Sequence, residues 1–453
     1  MSNWKRWTKG TRFGAWMTGG LMIAALMLQS GCGGVAPEPQ PAPAPGLEPE
    51  PEPEPEPEDI NRSPLADAGE DLDVEGGALV QLDGGASVDD DGDRLQFSWA
   101  QTAGTPVVLT GATTATPTFT APNEDVDLEF ELTVTDGRGG TDIAAVRVAV
   151  TARLARLFIT NRGGSSILSY EDPGSLNGNI RPDTNLQGAQ TQLDAASDVV
   201  VTAGGALIVS NAGGASLARF DDATATNGNI EPDALVQGAA TNLFIPLSLA
   251  LNAGEDLVFA ANAPFAAITV YERASESSFN GNLPPVRTIN TLTTGDLSNP
   301  SGINFGAGDE LYVANRGRGN ILVFANASNL NGDVAPSRII TSNDFGDLVD
   351  VFVGRDDTMF VVDQNGGEVL VFENAATLNG QQTPDVILDV DGAAVLGAIV
   401  VDAAGIGYIT DLVRNAIFIY DDIAAANGEF LPDRTITGLQ TQIRQPERMF
   451  LVE

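Results

Sequence analysis

The sequence predicts an all-β chain, a β-sandwich followed by a six-bladed β-propeller, and three observations carry that expectation. Residues 63–152 break into short alternating runs separated by Gly, Asp and Pro turns. Residues 153–453 repeat one strand pattern six times, at intervals of 48–54 residues. The first repeat lacks an inner strand, and the chain ends on a spare one. At 453 residues, two or three folded units are the natural expectation.

In the first unit the strand runs are residues 78–82, 95–99, 128–135 and 144–150. Leu128, Phe130, Leu132 and Val134 fall on one face, and Glu129, Glu131 and Thr133 on the other, the period of a half-buried strand. Turn signals at this spacing argue an antiparallel sandwich over 63–152. Residues 64–69 (PLADAG), 82–87 (LDGGAS), 89–93 (DDDGD), 97–99 (FSW), 119–122 (FTAP) and 132–140 (LTVTDGRGG) together resemble the PKD/REJ-like immunoglobulin-fold modules of bacterial surface proteins. That resemblance implies an Ig-like sandwich with Trp99 in its core. Asp89, Asp91 and Asp93 alternate around Gly92, and three carboxylates in a tight turn suit Ca²⁺, which takes six to eight oxygens. Residue 100, where an EF-hand counted from Asp89 would need Glu, is Ala, so a solvated turn is the competing reading.

In the second unit the repeats align on Leu157, Leu207, Leu257, Leu311, Met359 and Gly407, each opening a strand that ends in Asn or Asp. A further β run follows, then an Asn-Gly pair (Asn177-Gly178, Asn227-Gly228, Asn280-Gly281, Asn331-Gly332, Asn379-Gly380, Asn427-Gly428), then a Pro and a short strand. The Asn-Gly reads either as a helical turn closed by left-handed Gly or as a tight β-turn. Six four-stranded units make a six-bladed propeller over 153–453. The spare strand at residues 445–452 is expected to complete the blade begun by residues 154–161. The stretch Leu311-Tyr312-Val313-Ala314-Asn315 with Asn320-Ile321 resembles NHL/YVTN-type propellers.

Charge and composition narrow the function. Acidic residues number 61 against 23 basic ones, and Lys5 and Lys9 are the only lysines. Such a surface repels nucleic acid, whose binding requires phosphate neutralisation. The chain has one Cys and no His. This excludes intramolecular disulfides, Cys/His zinc sites, Ser–His and Cys–His catalytic pairs and His-ligated haem. Catalysis would have to rest on carboxylates, Arg, Tyr or a bound metal.

Residues 1–16 are basic, residues 17–28 apolar, and Gln29-Ser30-Gly31-Cys32 follows. That is the order of a secretory signal peptide. Twelve apolar residues fall short of the ~20 a membrane span needs. Ser30-Gly31-Cys32 resembles the lipobox of bacterial lipoproteins, with Gln29 where that family prefers Leu. The resemblance implies cleavage after residue 31 and acylation of Cys32; Gly33 implies the outer membrane. Residues 32–62 form a Pro/Glu-rich linker whose alternating core (PEPEPEPE) favours an extended polyproline rod.

Sliding the copies onto Gly302 places Asp198, Ser248, Gly302, Asp350, Ala398 and Arg448 in one ring on the inner strands. Asp198 and Asp350 should oppose each other, with Arg448 beside Asp198 through the closure. They form either a ligand site at a channel mouth or a salt bridge. Two functions are consistent with this. One is a lipid-anchored envelope protein whose propeller is a non-catalytic binding or scaffolding module for a protein or glycan partner. The other is a calcium-dependent lactonase or hydrolase resembling the gluconolactonase-like propellers, which need a Glu, an Asp and Asn side chains on one metal. The ring supplies two Asp but no Glu or Asn.

Overall fold

The computed structural model describes residues 60–272, 276–390 and 395–453. The signal segment 1–31, Cys32 and the linker to residue 59 lie outside them. Among the described residues there is no α-helix, and no helix is long and apolar enough to cross a membrane.

The N-terminal sandwich has a four-stranded sheet in the order Leu72–Glu75, Thr141–Thr151, Val126–Thr135, Gln96–Ala103, and a two-stranded sheet pairing Leu79–Gln81 with Thr118–Thr120. The first strand runs parallel to Thr141–Thr151, a departure from the antiparallel arrangement expected. Alternation decides the core: Leu128, Phe130, Leu132 and Val134 are all fully buried. They pack with Phe119, Val146, Val148 and Trp99. The Trp99 indole N–H donates to the Thr114 carbonyl at 3.2 Å, so the polar edge of a buried ring is satisfied.

The C-terminal unit is a six-bladed propeller. From the channel outward, blade one is Ala196–Val201, Leu207–Asn211, Ser216–Phe220 and Ala234–Val236. Blades two to five follow, with inner strands Pro246–Leu251, Pro300–Phe305, Leu348–Val353 and Leu396–Val401. Blade six is closed by both ends of the propeller: Pro446–Val452 is its inner strand, pairing antiparallel with Arg156–Asn161. Each inner strand packs beside the next, and Pro446–Val452 packs beside both Ala196–Val201 and Leu396–Val401, so the ring closes.

Three repeated devices explain why the blades stay together. The third strand of each carries a buried aromatic: Phe220, Tyr271, Phe324, Phe372, Tyr420 and Tyr170 are each at most 1% exposed. Burial of such a side chain contributes roughly 1.5–3 kcal/mol. In five blades the Asn or Asp ending the second strand holds the loop that enters the inner strand, Asn161 doing so through Arg444 N–H. Asn211 Oδ1 accepts from Asp194 N–H at 3.1 Å, Asn262 from Phe244 at 2.8 Å, Asn315 from Ser298 at 2.7 Å and Asp363 from Asp347 at 3.0 Å. The Asn-Gly pair does something neither turn reading anticipated. Its Gly, at φ between +70° and +85°, forms a parallel bridge to the outer strand of the preceding blade. Gly178 pairs with Ile436, Gly228 with Leu186, Gly281 with Val236, Gly332 with Ile289, Gly380 with Ile340 and Gly428 with Leu388. In five of the six the Asn Oδ1 also accepts an amide of that neighbouring strand, as Asn280 does from Leu235 at 3.0 Å. The pair is a strap between blades, and it covers an outer strand edge that would otherwise stay open.

Deleting residues 446–453 removes the inner strand of the closing blade. Calorimetry is expected to show loss of the sharp propeller transition, whereas Leu439→Ala, at a 97% exposed side chain, should leave it unchanged.

Candidate functional site

The ring anticipated from the repeats exists, and a shared backbone feature positions it. Every inner strand shifts register where it begins, between Ala196 and Asp198, Pro246 and Ser248, Pro300 and Ile303, Leu348 and Asp350, Leu396 and Ile399, and Pro446 and Met449. Such bulges re-aim side chains. Here they bring the six ring positions to one level of the channel.

At that level Asp198, Asp350 and Arg448 are all at least 94% buried. Arg448 Nη1 pairs with Asp350 Oδ1. Its Nη2 donates to the Val349 carbonyl at 2.7 Å and its Nε to the Leu247 carbonyl at 3.2 Å. Arg448 Nε lies 3.9 Å from Asp198 Oδ2. Repeat alignment puts Arg448 beside Asp198; the structure shows the guanidinium reaching over the channel to Asp350 as its main partner. A long side chain bridges the lumen because a buried guanidinium gains most from a carboxylate and carbonyls that occupy several of its donors.

The two carboxylates also latch blades together. Leu249 N–H donates to Asp198 Oδ2 at 2.7 Å, and Ile399 N–H donates to Asp350 Oδ2 at 3.1 Å. Ser248 does the same in its turn, accepting from Ile303 N–H at 3.1 Å. In each case the side chain at the ring satisfies the amide one residue past the ring in the next blade. Gly302 is required here: a Cβ at that position would run into the Asp350 carboxylate and lie 2.7 Å from Asp350 Cα. Single-sequence reading had no signal for either role.

Burial dominates the protonation of these groups. It pushes the Asp198 carboxyl up to about 7 against the pull of Arg448 and the amides of Leu249 and Val199. It raises Asp350 as well. For Arg448, burial is offset by Asp350 and Asp198, and the guanidinium stays protonated. One Arg therefore serves two buried carboxylates, and Asp198 holds the weaker share.

The triad is the floor of a cavity of about 750 Å³ that opens at the C-terminal ends of the inner strands. Its walls include Leu251, Phe305, Phe352, Val401 and Phe450, and around its mouth stand Glu255, Arg355, Asp356, Asp402, Asp422 and Glu453.

In the sandwich the expected calcium set is redistributed. Asp89, Asp93 and Asp136 offer carboxylate oxygens within 4.8 Å of one another. Asp91 does not join them: its Oδ2 accepts Arg62 N–H at 2.6 Å. Asp136, 47 residues beyond Asp89 in the TDG turn, is the member that local spacing could not reveal. Its carboxyl is held below the usual range, first by the Asn61 side-chain amide, at 2.6 Å, and by the amides of Arg138 and Gly140, against the effect of burial. Two buried oxygens beside it, Asp89 Oδ2 and Asn61 Oδ1, have no hydrogen-bond partner. Arg138 Nη1 sits 3.2 Å from Asp93 Oδ2 and partly neutralises the cluster.

Because Asp198 is raised in the folded state, that state binds more protons than the unfolded chain between about pH 4 and 7. Its contribution to stability is present below that window and is lost as pH rises through it. Denaturant unfolding at several pH values should show that Asp198→Asn flattens this fall.

Residues 68–150 match a PKD domain family. No curated protein matches the chain in sequence. Among solved structures, a nucleoside hydrolase-related hypothetical protein from Saccharophagus degradans is similar at 23% identity, over 20% of this chain and 26% of that one, with a TM-score of 0.18. The chain thus spans about a quarter of that protein. A chain of the nidogen/laminin complex is similar at 13% identity, over 66% of this chain and 98% of that one, with a TM-score of 0.46. The propeller-like virginiamycin B lyase of Staphylococcus aureus is similar at 10% identity, over 71% and 85%, with a TM-score of 0.38. The chain is all-β, with a PKD-type Ig-like domain ahead of a propeller.

Proposed function

We propose that this is a lipid-anchored cell-envelope protein, acylated at Cys32 and carried to the outer membrane. In this reading its propeller acts as a non-catalytic binding or scaffolding module. The Pro/Glu linker and the sandwich hold that module away from the bilayer. The observation that carries the non-catalytic reading is the placement of Arg448. Its guanidinium lies in the channel against both ring carboxylates, and a fixed positive charge beside Asp198 and Asp350 opposes a dication. Both carboxylates are already engaged by amides of neighbouring blades. The absence of His from the sequence removes the common proton carrier at neutral pH. Support for the anchor comes from the lone Cys, placed where an apolar run gives way to a Pro/Glu-rich segment. Multiple acyl chains give stable attachment, each buried CH₂ contributing about 0.8 kcal/mol.

The same reading assigns calcium to the sandwich, held by Asp89, Asp93, Asp136 and Asn61. The two unpartnered buried oxygens favour it, since a hard cation would satisfy both.

In a Gram-negative host the full chain should incorporate labelled palmitate and fractionate with membranes, and Cys32→Ser should lose both. Retention of a cleaved, unacylated chain would overturn the anchor. Gluconolactone turnover should equal buffer with or without Ca²⁺; calcium-dependent turnover lost in Asp198→Ala would restore the hydrolase. Calcium should raise the unfolding temperature of the sandwich by several degrees, an effect removed by Asp136→Asn and kept in Asp91→Asn.

A further inference from the structure

The channel cavity has an order along its depth that points to one class of ligand. At the bottom lie two buried carboxylates and one guanidinium. Two residues further along each inner strand, on the same face, come Val200, Ala250, Asn304, Phe352, Val400 and Phe450. Asn304 is the one polar member, and its Oδ1 accepts Val353 N–H at 2.9 Å. Phe352 and Phe450 remain partly exposed and line the cavity. Counting the whole lining, seven carboxylates face two arginines, and Arg355 at the mouth is paired with Glu453 at 3.2 Å.

The charge at the floor is unbalanced in a specific place. Arg448 gives one Nη to Asp350, the other to the Val349 carbonyl, and its Nε to the Leu247 carbonyl. Asp198 receives two backbone amides, from Val199 and Leu249, both at 2.7 Å, with the Ser248 hydroxyl a weaker third contributor. A carboxylate has about four acceptor positions, so Asp198 keeps capacity for a further donor. An anion would meet Asp198 and Asp350, with both arginines of the lining already held by carboxylates. A dication would meet Arg448. A polar neutral molecule would bury its hydroxyls against Phe, Val and Leu without partners. A monocation with an apolar body fits each layer in turn.

We propose that the channel cavity binds a small organic cation, a protonated amine on an aryl or alkyl body, with its ammonium on Asp198 and its apolar part between Phe352 and Phe450. This rests on the binding-module reading and names the ligand class for that same cavity. The ammonium adds to the partial compensation that Arg448 gives Asp198 from 3.9 Å, and the aromatic faces stabilise it further. The volume suits a drug-sized molecule, since such sites run from about 300 to 1,000 Å³. The acidic mouth raises the local concentration of cations before they enter.

The test uses the full chain without its signal, at pH 8, and isothermal titration with three probes of one shape: 3-phenylpropylamine, 3-phenylpropanol and 3-phenylpropionate. The amine should bind saturably and at least tenfold more tightly than the alcohol, and the carboxylate should not bind. Asp198→Asn should weaken the amine at least tenfold, and Phe450→Ala severalfold, in variants with unchanged circular dichroism. Charge order among the probes is read on the unmutated protein, so the outcome stands even where Asp198→Asn fails to fold. Equal binding of amine and carboxylate, or no saturable binding of the amine, would overturn the assignment. Amine that binds with this selectivity and is recovered altered by NMR would support the cation site while overturning the non-catalytic reading.

Discussion

Pairing of Pro446–Val452 with Arg156–Asn161 is the interaction on which the propeller depends. A ring of blades has two ends, and each end left open would present unpaired N–H and C=O groups and an uncovered apolar face. Building the sixth blade from both termini of the ring converts that liability into a ladder of backbone hydrogen bonds. It also fixes the channel, because Arg448 is delivered to the lumen by this terminal strand. Without closure, neither the floor of the cavity nor the neutralisation of Asp350 would exist.

The ring residues show how one position can serve fold and chemistry together. Asp198, Ser248 and Asp350 each accept an amide from the following blade, so their first role is to hold adjacent inner strands in register. Where the ring residue is Gly302 or Ala398 that latch is missing, and Gly302 instead makes room for Asp350. Removing one member of a buried ion group leaves an uncompensated charge, a loss of about 3–5 kcal/mol in well-packed interiors. The triad is therefore structural first. What makes it more than structural is the unequal sharing of Arg448, which leaves one buried carboxylate facing an apolar cavity.

The outer rim follows a similar logic. Each Asn-Gly pair reaches back to the preceding blade, so six straps complement six aromatic plugs, and every blade is tied to its neighbour at the outer edge. The sandwich relies on the same short polar side chains: Asp89 organises its own turn by accepting the amides of Asp91 and Asp93 at 2.9 and 3.1 Å. Its neighbour Asp136 does likewise in the TDG turn, and the two turns meet.

The amino-acid sequence alone determined the all-β class, the alternating core face from Leu128 to Val134, the six repeats, the closure by a terminal strand and the identity of the ring residues. These are legible because strand period, turn residues and repeat spacing record hydrogen bonding and burial within a single blade or hairpin. Tertiary structure alone decided that Arg448 turns to Asp350, that Asp136 replaces Asp91 beside Asp89 and Asp93, and that Asn-Gly straps one blade to another. Arg448 and Asp350 are 98 residues apart, and Asp136 lies in a different turn from Asp89. Such partners are chosen by ring closure and by the desolvation of the groups that meet, quantities that no local pattern in the chain contains.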